Sequence, residues 1–279
     1  MGLKRKSFWQ VTDKFMGKIA IVGVGFVGGA LFKLLKHRFN VLRYDPSKKF
    51  SCSKEQVNEC DVVFLCVPTP FDWQERDYDY GAIDECLGWI KKGRVVVIKS
   101  TVQPGTTREM ARKYKHDIVF NPEFLRQKSA VRDIKGAERV VLGGDKADCL
   151  KISRIYKKVY SRKVKYIYTT FESAELAKIA TNAFFCSKVM FCNEIKKFCD
   201  KMDIDYDEFR KVWLFDKRIG KSHTEVTGEG GFSGNCFPKD LNALISKMTK
   251  EGVEPIFQKT VWNLNRKYRK EFRGSRYER

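Results

Sequence analysis

Residues 18 to 28 read KIAIVGVGFVG, a short β-branched apolar run that breaks into Gly23-Val24-Gly25-Phe26-Val27-Gly28 and passes into the amphipathic ALFKLLKHR. The run has the composition of a buried strand, the glycines mark a turn, and the stretch after them has helical spacing. Glycine meets three separate needs here: a tight turn, close approach of backbone to a pyrophosphate, and close packing of helix on strand. The helix start adds free N–H groups that suit phosphate. Asp45 closes the next run, NVLRYD, at the distance of about 20 residues where a carboxylate binds the ribose 2′-hydroxyl of NAD and repels the 2′-phosphate of NADP. Arg43, beside it, is the residue that could accept that phosphate. The order of strand, glycines, helix and acid favours NAD.

Beyond this turn, DVVFLCV, RVVVIKS, DIVFN and RVVLGG are further candidate strands, separated by helical stretches such as TTREMARKYK. Strands alternating with helices predict a Rossmann-like, doubly wound parallel α/β sheet over residues 1–170. The pattern then changes. In SAELAKIATNAFFCSKVMFCNEIKKFCDKM, residues Leu176, Ile179, Ala180, Ala183, Phe184 and Val189 recur at helical spacing, with Ser173 and Glu175 suited to the first turn. DYDEFRKVWLF is a second helical segment, and the Gly-rich TGEGGFSGN leads into CFPKDLNALISKM, a loop opening a third. A mainly helical domain is expected over 171–265, followed by a basic tail, 266–279, whose solvated end should fray.

With 279 residues and 43% hydrophobic residues the chain can bury a real core. Its longest apolar runs fall far short of the roughly 18 residues of a membrane span. No apolar stretch follows Lys4-Arg5-Lys6, so no secretory signal and a cytoplasmic address are expected. Nine scattered cysteines without C-x-x-C spacing, and three histidines far apart, predict reduced thiols and no metal. The formal charge of +21 attracts polyanions without specifying one, and with no recognised binding motif nucleic acid is not an expected partner.

Gly231 to Asp240, GFSGNCFPKD, carries the chemistry of the second half. It sets Cys236 at a helix start, with Pro238 in the first turn, where a missing N–H costs nothing. A helix N-terminus and a neighbouring ammonium such as Lys239 favour thiolate over thiol. Lys178 and Asn182 are four apart and share a helix face, so an ammonium and an amide could both address one bound group, although such a pair is also ordinary surface. Thr101, Glu123, Asn182 and Asp240 could equally cap helices or close turns.

Taken together, GVGFVG, CVPTP, KSTVQPGTT, NPEFL, AELAKIATNAF, the Arg-Ile-Gly at 218–220 and GFSGNCFPKD, collinear from about residue 18 to 250, resemble the UDP-glucose/GDP-mannose dehydrogenase family. The resemblance implies an oxidation in which two NAD molecules convert a sugar C6 alcohol to a carboxylate. Cys236 would attack the intermediate aldehyde to give a thiohemiacetal, whose oxidation leaves a thioester for water to hydrolyse. Lys178 and Asn182 would stabilise the oxyanions. Asp240 would hold or deprotonate water, Glu123 would be the general acid/base for hydrolysis, and Thr101 would position water near the nicotinamide. The cofactor would contact Gly23, Gly25, Phe26, Val27, Gly28, Asp45, Pro68, Thr69, Thr101 and Lys239. The substrate would contact Glu123, Phe124, Leu125, Lys178, Asn182, Gly231 and Arg218. In relatives the counterpart of Arg218 reaches the neighbouring subunit's substrate, which implies a homodimer through the long helix.

The CFPKD stretch resembles the UDP-glucose branch more than the N-acetylhexosamine branch. The expected reaction is therefore UDP-glucose to UDP-glucuronate, with GDP-mannose, or a non-catalytic NAD-binding protein, as alternatives. Ser233 and Asn235 stand where the family usually has glycine and serine; a positive φ at 233 would strain a serine by about 1 kcal/mol or more. Relatives also continue into a second α/β domain over the nucleotide; no counterpart is expected in this sequence, and substrate affinity is expected to be lower. Arg266, Lys267, Arg269 and Lys270 are candidates to bind the diphosphate instead.

Overall fold

The structure is a computed structural model that describes residues 17–126 and 129–272. Its first part is built from β1 (Ile19–Val22), α1 (Phe26–Leu35), β2 (Val41–Tyr44), α2 (Lys54–Val57), β3 (Val62–Leu65), a hairpin of β4 (Phe71–Asp72) and β5 (Asp77–Tyr78), α3 (Gly81–Trp89), β6 (Val95–Ile98), α4 (Thr106–Tyr114), β7 (Asp117–Phe120), α5 (Ala130–Lys135), β8 (Arg139–Gly144), α6 (Lys146–Lys157) and β9 (Lys165–Thr169). Seven strands form one sheet in the order β2-β1-β3-β6-β7-β8-β9. The four strands IAIV, VVFL, VVVI and DIVF run parallel at its centre, and all but Asp117 of their residues are buried. Strands covered by helices on both faces need such unbroken apolar runs. Alternate residues divide between the two faces. Ile19, Ile21, Val62, Phe64 and Val97 pack with Leu31, Ile134 and Ile152, whereas Ala20, Val63, Leu65, Val96 and Ile98 pack with Ile83, Leu87 and Met110.

The expected all-parallel sheet holds except at one pair. β8 runs antiparallel to β7, pairing Val119 with Gly144 and Phe120 with Gly143, and β9 then runs parallel to β8. β8 therefore sets out from the edge where β7 stopped. The sheet's carboxyl edge thus carries the loops after β1, β3, β6 and β7, where ligands bind in folds of this type.

Thr170 accepts a bond from the Ser173 N–H at 3.2 Å and caps α7 (Phe171–Lys201), a helix of 31 residues and about 46 Å. Ser173 thus lies in the first turn, with Thr170 before it as the cap. Glu175 is fully buried and accepts from the backbone of another helix start, Gly105 N at 2.7 Å and Thr107 N at 2.8 Å. Burial pushes its carboxyl up even though these bonds pull it down. Leu176 and Phe184, which share the apolar spacing, face solvent, because α7 is apolar on two sides and only one is covered here. The covered side includes Ile179, Ala183, Cys186 and Met190, and it packs against α9 (Phe237–Lys250) and α10 (Ile256–Tyr268) through Leu241, Ile245, Val261 and Trp262. α8 (Tyr206–Trp213) is capped by Asp205, which accepts from Glu208 N at 2.8 Å. The β4–β5 hairpin reaches this second core from the sheet: Phe71 and Tyr78 lie in it, and Trp73 stacks on Trp262 with ring centroids 5.7 Å apart.

The basic segment expected to fray is partly packed. Arg266 to Tyr268 complete α10, and the Arg269 guanidinium reaches Glu229 and, at 3.2 Å, Ser233 Oγ. Residues 273–279 of the tail lie outside the described residues. Among the described residues no helix is long and apolar enough to cross a membrane.

Candidate active site

The turn after β1 is held by backbone. Gly23 has φ +84°, and a Cβ there would lie 2.6 Å from the Cys66 carbonyl oxygen; at Gly28 it would lie 2.0 Å from that of Gly23. Only hydrogen fits at either place. In front of Gly25, by contrast, nothing lies within 4 Å of an added Cβ, and Gly25, Phe26 and Val27 present the start of α1. That combination of open space and free N–H groups accommodates a pyrophosphate. Asp45 stands beside it. Its Oδ2 accepts from Val24 N at 2.9 Å and its Oδ1 from Ser47 Oγ at 2.7 Å and Ser47 N at 3.1 Å. Burial pushes the Asp45 carboxyl up, but the bonds from Ser47 and Val24 outweigh it and hold the group below its ordinary range. Arg43 is engaged elsewhere: its guanidinium lies 4.3 Å from the Phe32 ring centroid and 3.9 Å from that of Phe50, a stacked position. The residues present therefore fit NAD. Pro68 and Thr69 follow β3, and Thr69 Oγ1 donates to the Thr101 carbonyl oxygen at 2.8 Å, joining the loops after β3 and β6.

The second group gathers around Asp240, in the first turn of α9. Asn182 Nδ2 donates to its Oδ2 at 2.5 Å, and Lys239 Nζ and Tyr78 Oη donate to Oδ1 at 2.6 Å each. Asp240 is 1% exposed, and donors of this kind are what make a buried carboxylate tolerable. Cys236 is the N-cap of the same helix, is exposed, and its carbonyl accepts from Asp240 N at 2.9 Å. Its eight fellow cysteines are free thiols and buried or half-buried. Lys178, one turn before Asn182, is half-buried. Burial pushes its ammonium down, against the pull of the charges of Asp240, Cys236 and Glu123. The structure thus brings together Cys236, Asp240, Asn182, Lys178 and Lys239.

Glu123 follows β7 and borders a pocket of about 260 Å³, with Phe124, Leu125, Arg139, Tyr160 and Phe185 on its walls. Cys236 and Asp240 do not line that pocket. Phe124 joins the two places, since its ring centroid is 5.6 Å from Lys178 Nζ. Beneath Glu123 lies a buried network that sequence reasoning missed. Lys99, with a side chain 2% exposed, gives Nζ to Glu123 Oε2 and to Asn121 Oδ1, both at 2.9 Å, and Tyr156 Oη also donates to Asn121 Oδ1 at 2.6 Å. Lys99 and Asn121 stand inside KSTV and NPEFL, but nothing in either stretch tells a buried lysine from an exposed one. Tyr78 was missed for the same reason.

One expectation meets a different geometry. The left-handed positions of the Cys loop are Gly230, Gly231 and Gly234; Ser233 is not among them, so serine carries no such strain. Arg218, expected to serve a neighbouring subunit rather than its own, is exposed and bonds Asp216 of its own loop, with Nε 3.0 Å from Oδ1. Gly231 donates its N–H to Asn193 Oδ1 at 3.0 Å.

Fold and site together define a dinucleotide-binding α/β protein with an attached helical part that holds an exposed cysteine over a buried carboxylate. Residues 41–164 match the NAD binding domain of the UDP-glucose/GDP-mannose dehydrogenase family, and residues 172–267 match its central domain. The chain belongs to that family, and NAD is its cofactor. It is 31% identical over 244 residues to a UDP-glucose 6-dehydrogenase of Rickettsia conorii, covering 84% of this chain and 55% of that protein. It is 35% identical over 233 residues to an uncharacterized protein of Methanocaldococcus jannaschii, covering 78% of this chain and 25% of the other. A UDP-glucose dehydrogenase from Pyrobaculum islandicum superposes with a TM-score of 0.82 at 26% identity, over 90% of this chain and 68% of that one. The chain thus spans about half the length, or less, of the curated relatives it matches.

Proposed function

We propose that the protein oxidises the C6 alcohol of a nucleotide sugar to the carboxylate, with UDP-glucose as substrate, UDP-glucuronate as product and Cys236 as covalent nucleophile. The observation that carries this reading is the 2.5 Å bond from Asn182 to Asp240, which ties the Lys178–Asn182 face of α7 to the helix that Cys236 opens. NAD, when bound, would supply the hydride acceptor; Gly23 to Gly28, Asp45, Pro68, Thr69, Thr101 and Lys239 would hold it.

The chain's own residues do the rest. The C6 alcohol first loses a hydride, and its hydroxyl proton to water, to become the aldehyde. An aldehyde is a poor hydride donor until a nucleophile adds to it, and the Cys236 thiolate is that nucleophile. As its sulfur bonds C6, the carbonyl oxygen becomes an oxyanion that accepts from Lys178 and from the second N–H of Asn182. The thiohemiacetal then loses its hydrogen as hydride and becomes a thioester. Glu123 takes a proton from water as the water adds, the thiolate leaves, and the product is the carboxylate. Phe124, Leu125 and Gly231 would contact the sugar, and Thr101 would position a water for the reaction.

A second copy of the chain is the proposed partner. Phe184, Phe191 and Phe198 recur every seven residues along α7 and are 65%, 50% and 61% exposed, and Phe215, in the loop that carries Arg218, is 90% exposed. An uncovered stripe of that size marks an interaction surface. In such a pair Arg218 would serve the neighbouring copy's site.

The deciding measurement is NADH formed per sugar. Wild type should give two, and Cys236→Ser should lose the second oxidation. No NADH from any nucleotide sugar, together with calorimetric binding of NAD but not of nucleotide sugar, would leave a non-catalytic NAD-binding protein in place of this reading.

A further inference from the structure

Asp240 lies where three elements meet, and one of them comes from the sheet. Tyr78, on β5 and 162 residues away in sequence, donates its phenolic O–H to Asp240 Oδ1 at 2.6 Å. Its side chain is buried in the second core with Phe71 and Trp262. Burial, reinforced by the negative charge of Asp240, pushes its ionisation well above the ordinary value of 10.0, so it stays a neutral donor at any pH where an enzyme of this kind works. The charged and titratable groups facing this cluster are Cys236 and Lys239 from α9, Lys178 and Cys186 from α7, and Tyr80 from the hairpin's exit.

We propose that Tyr78 is a positioning residue for the proposed oxidation, on which this inference rests. A buried carboxylate only accepts, so whatever bonds it must donate. With Oδ1 held by Tyr78 and Lys239, Oδ2 is aimed at Asn182, and the Asn182 side chain is fixed with its NH₂ group, not its carbonyl, turned to the carboxylate. One N–H is spent on Asp240; the other is the donor that an oxyanion on the cysteine adduct needs. It follows that Asp240, with both oxygens engaged and almost no exposure, acts as an anchor. The β4–β5 hairpin, grown from the loop that follows the Pro68-Thr69 cofactor contact, thereby sets the geometry of the cysteine site.

Tyr78→Phe tests this, because it keeps the ring and removes only the donor. With nucleotide sugar and NAD the turnover rate should fall about tenfold while KM stays within about twofold. Asn182→Ala should cost less in the Tyr78→Phe background than in wild type, since coupled groups are not additive. In the ¹⁵N–¹H spectrum the two side-chain amide protons of Asn182 should move in Tyr78→Phe, a readout that needs no catalysis. If wild type makes no NADH, the proposed reaction fails, yet the Asn182 signals still decide the role of Tyr78. Should Tyr78→Phe not fold, 3-fluorotyrosine at position 78 keeps the packing and strengthens the donor, and the same signals must shift. An unchanged turnover rate in Tyr78→Phe, or Asn182 signals that move in neither variant, overturns the proposal.

Discussion

Two glycine-rich turns in this molecule each deliver a helix start to a candidate site, and they are held in opposite ways. At 23–28 the constraint is backbone against backbone: missing Cβ atoms let Gly23 lie on Cys66 and Gly28 on Gly23, all within the β1–α1–β3 layer. At 230–234 the constraint is side chain against backbone. Asn193 of α7 accepts from Gly231 N at 3.0 Å, and Asn265 of α10 accepts from Phe232 N at 2.7 Å and donates to Phe232 O at 3.0 Å. The first turn belongs to its own strand and helix. The second is suspended from two helices that lie on either side of it in sequence, so its shape depends on the whole helical core being assembled.

That difference can be broken at several strengths. The largest loss is expected for Gly28→Ala, where a methyl would sit 2.0 Å from the Gly23 carbonyl oxygen. The helix must back away from the strand, costing on the order of 4 kcal/mol in urea unfolding and abolishing NAD binding by calorimetry. Next is Lys99→Met, which leaves Glu123 and Asn121 without their buried cation and should cost about 3 kcal/mol. Asn265→Ala attacks the suspended turn. It removes two bonds at a fully buried side chain and should cost about 2 kcal/mol, with Cys236 alkylation changed and NAD binding intact. If NAD affinity fell as well, the two turns would not be independent. Gly234→Ala is milder: φ is +83° but nothing lies within 4 Å of the new methyl, so backbone strain of about 1 kcal/mol is the whole expected effect.

The smallest expected effect is a pH dependence at the seam between the two regions, where Arg108 of α4 bonds Glu172 of α7, one contact being 2.9 Å. The bond from Arg108 is the main reason the Glu172 carboxyl is held at about 2 rather than the usual 4.5. A carboxyl depressed on folding contributes stability above its unfolded value and loses it as pH falls. Melts of wild type and Glu172→Gln should therefore differ above pH 4.5 and converge toward pH 2. The pair is open to solvent, which limits the difference to less than about 1 kcal/mol.

Much of the sheet was legible from residues alone, because VVFL and VVVI are buried on both faces and a helix with one wet face does not tolerate such runs between turn signals. The antiparallel β8 was not, since an apolar run such as RVVLGG records a strand but not its direction. On α7 the spacing gave a helix but not its faces. Leu176 and Phe184 carry the same apolar signal as Ile179 and Ala183, and only the position of α9 and α10 separates the inward pair from the outward one. Cys236, Lys178, Asn182 and Asp240 could be named from their stretches of chain. Lys99, Tyr78 and Asn265 could not, because a lysine, a tyrosine or an asparagine becomes informative only when its surroundings have removed water from it.

The residues determined by themselves whatever depends on neighbours along the chain: strand and helix periods, the glycine turn with its acid at Asp45, and the cysteine at a helix start. Contacts across long stretches of chain were decided by tertiary structure alone. Tyr78 meets Asp240 across 162 residues, and Glu175 of one helix caps another 68 residues before it. The physical reason is that local conformation follows from sterics and hydrogen bonds between near residues, which sequence records. A buried carboxylate takes its donors from whichever elements the core brings beside it, and that choice exists only once the core has closed.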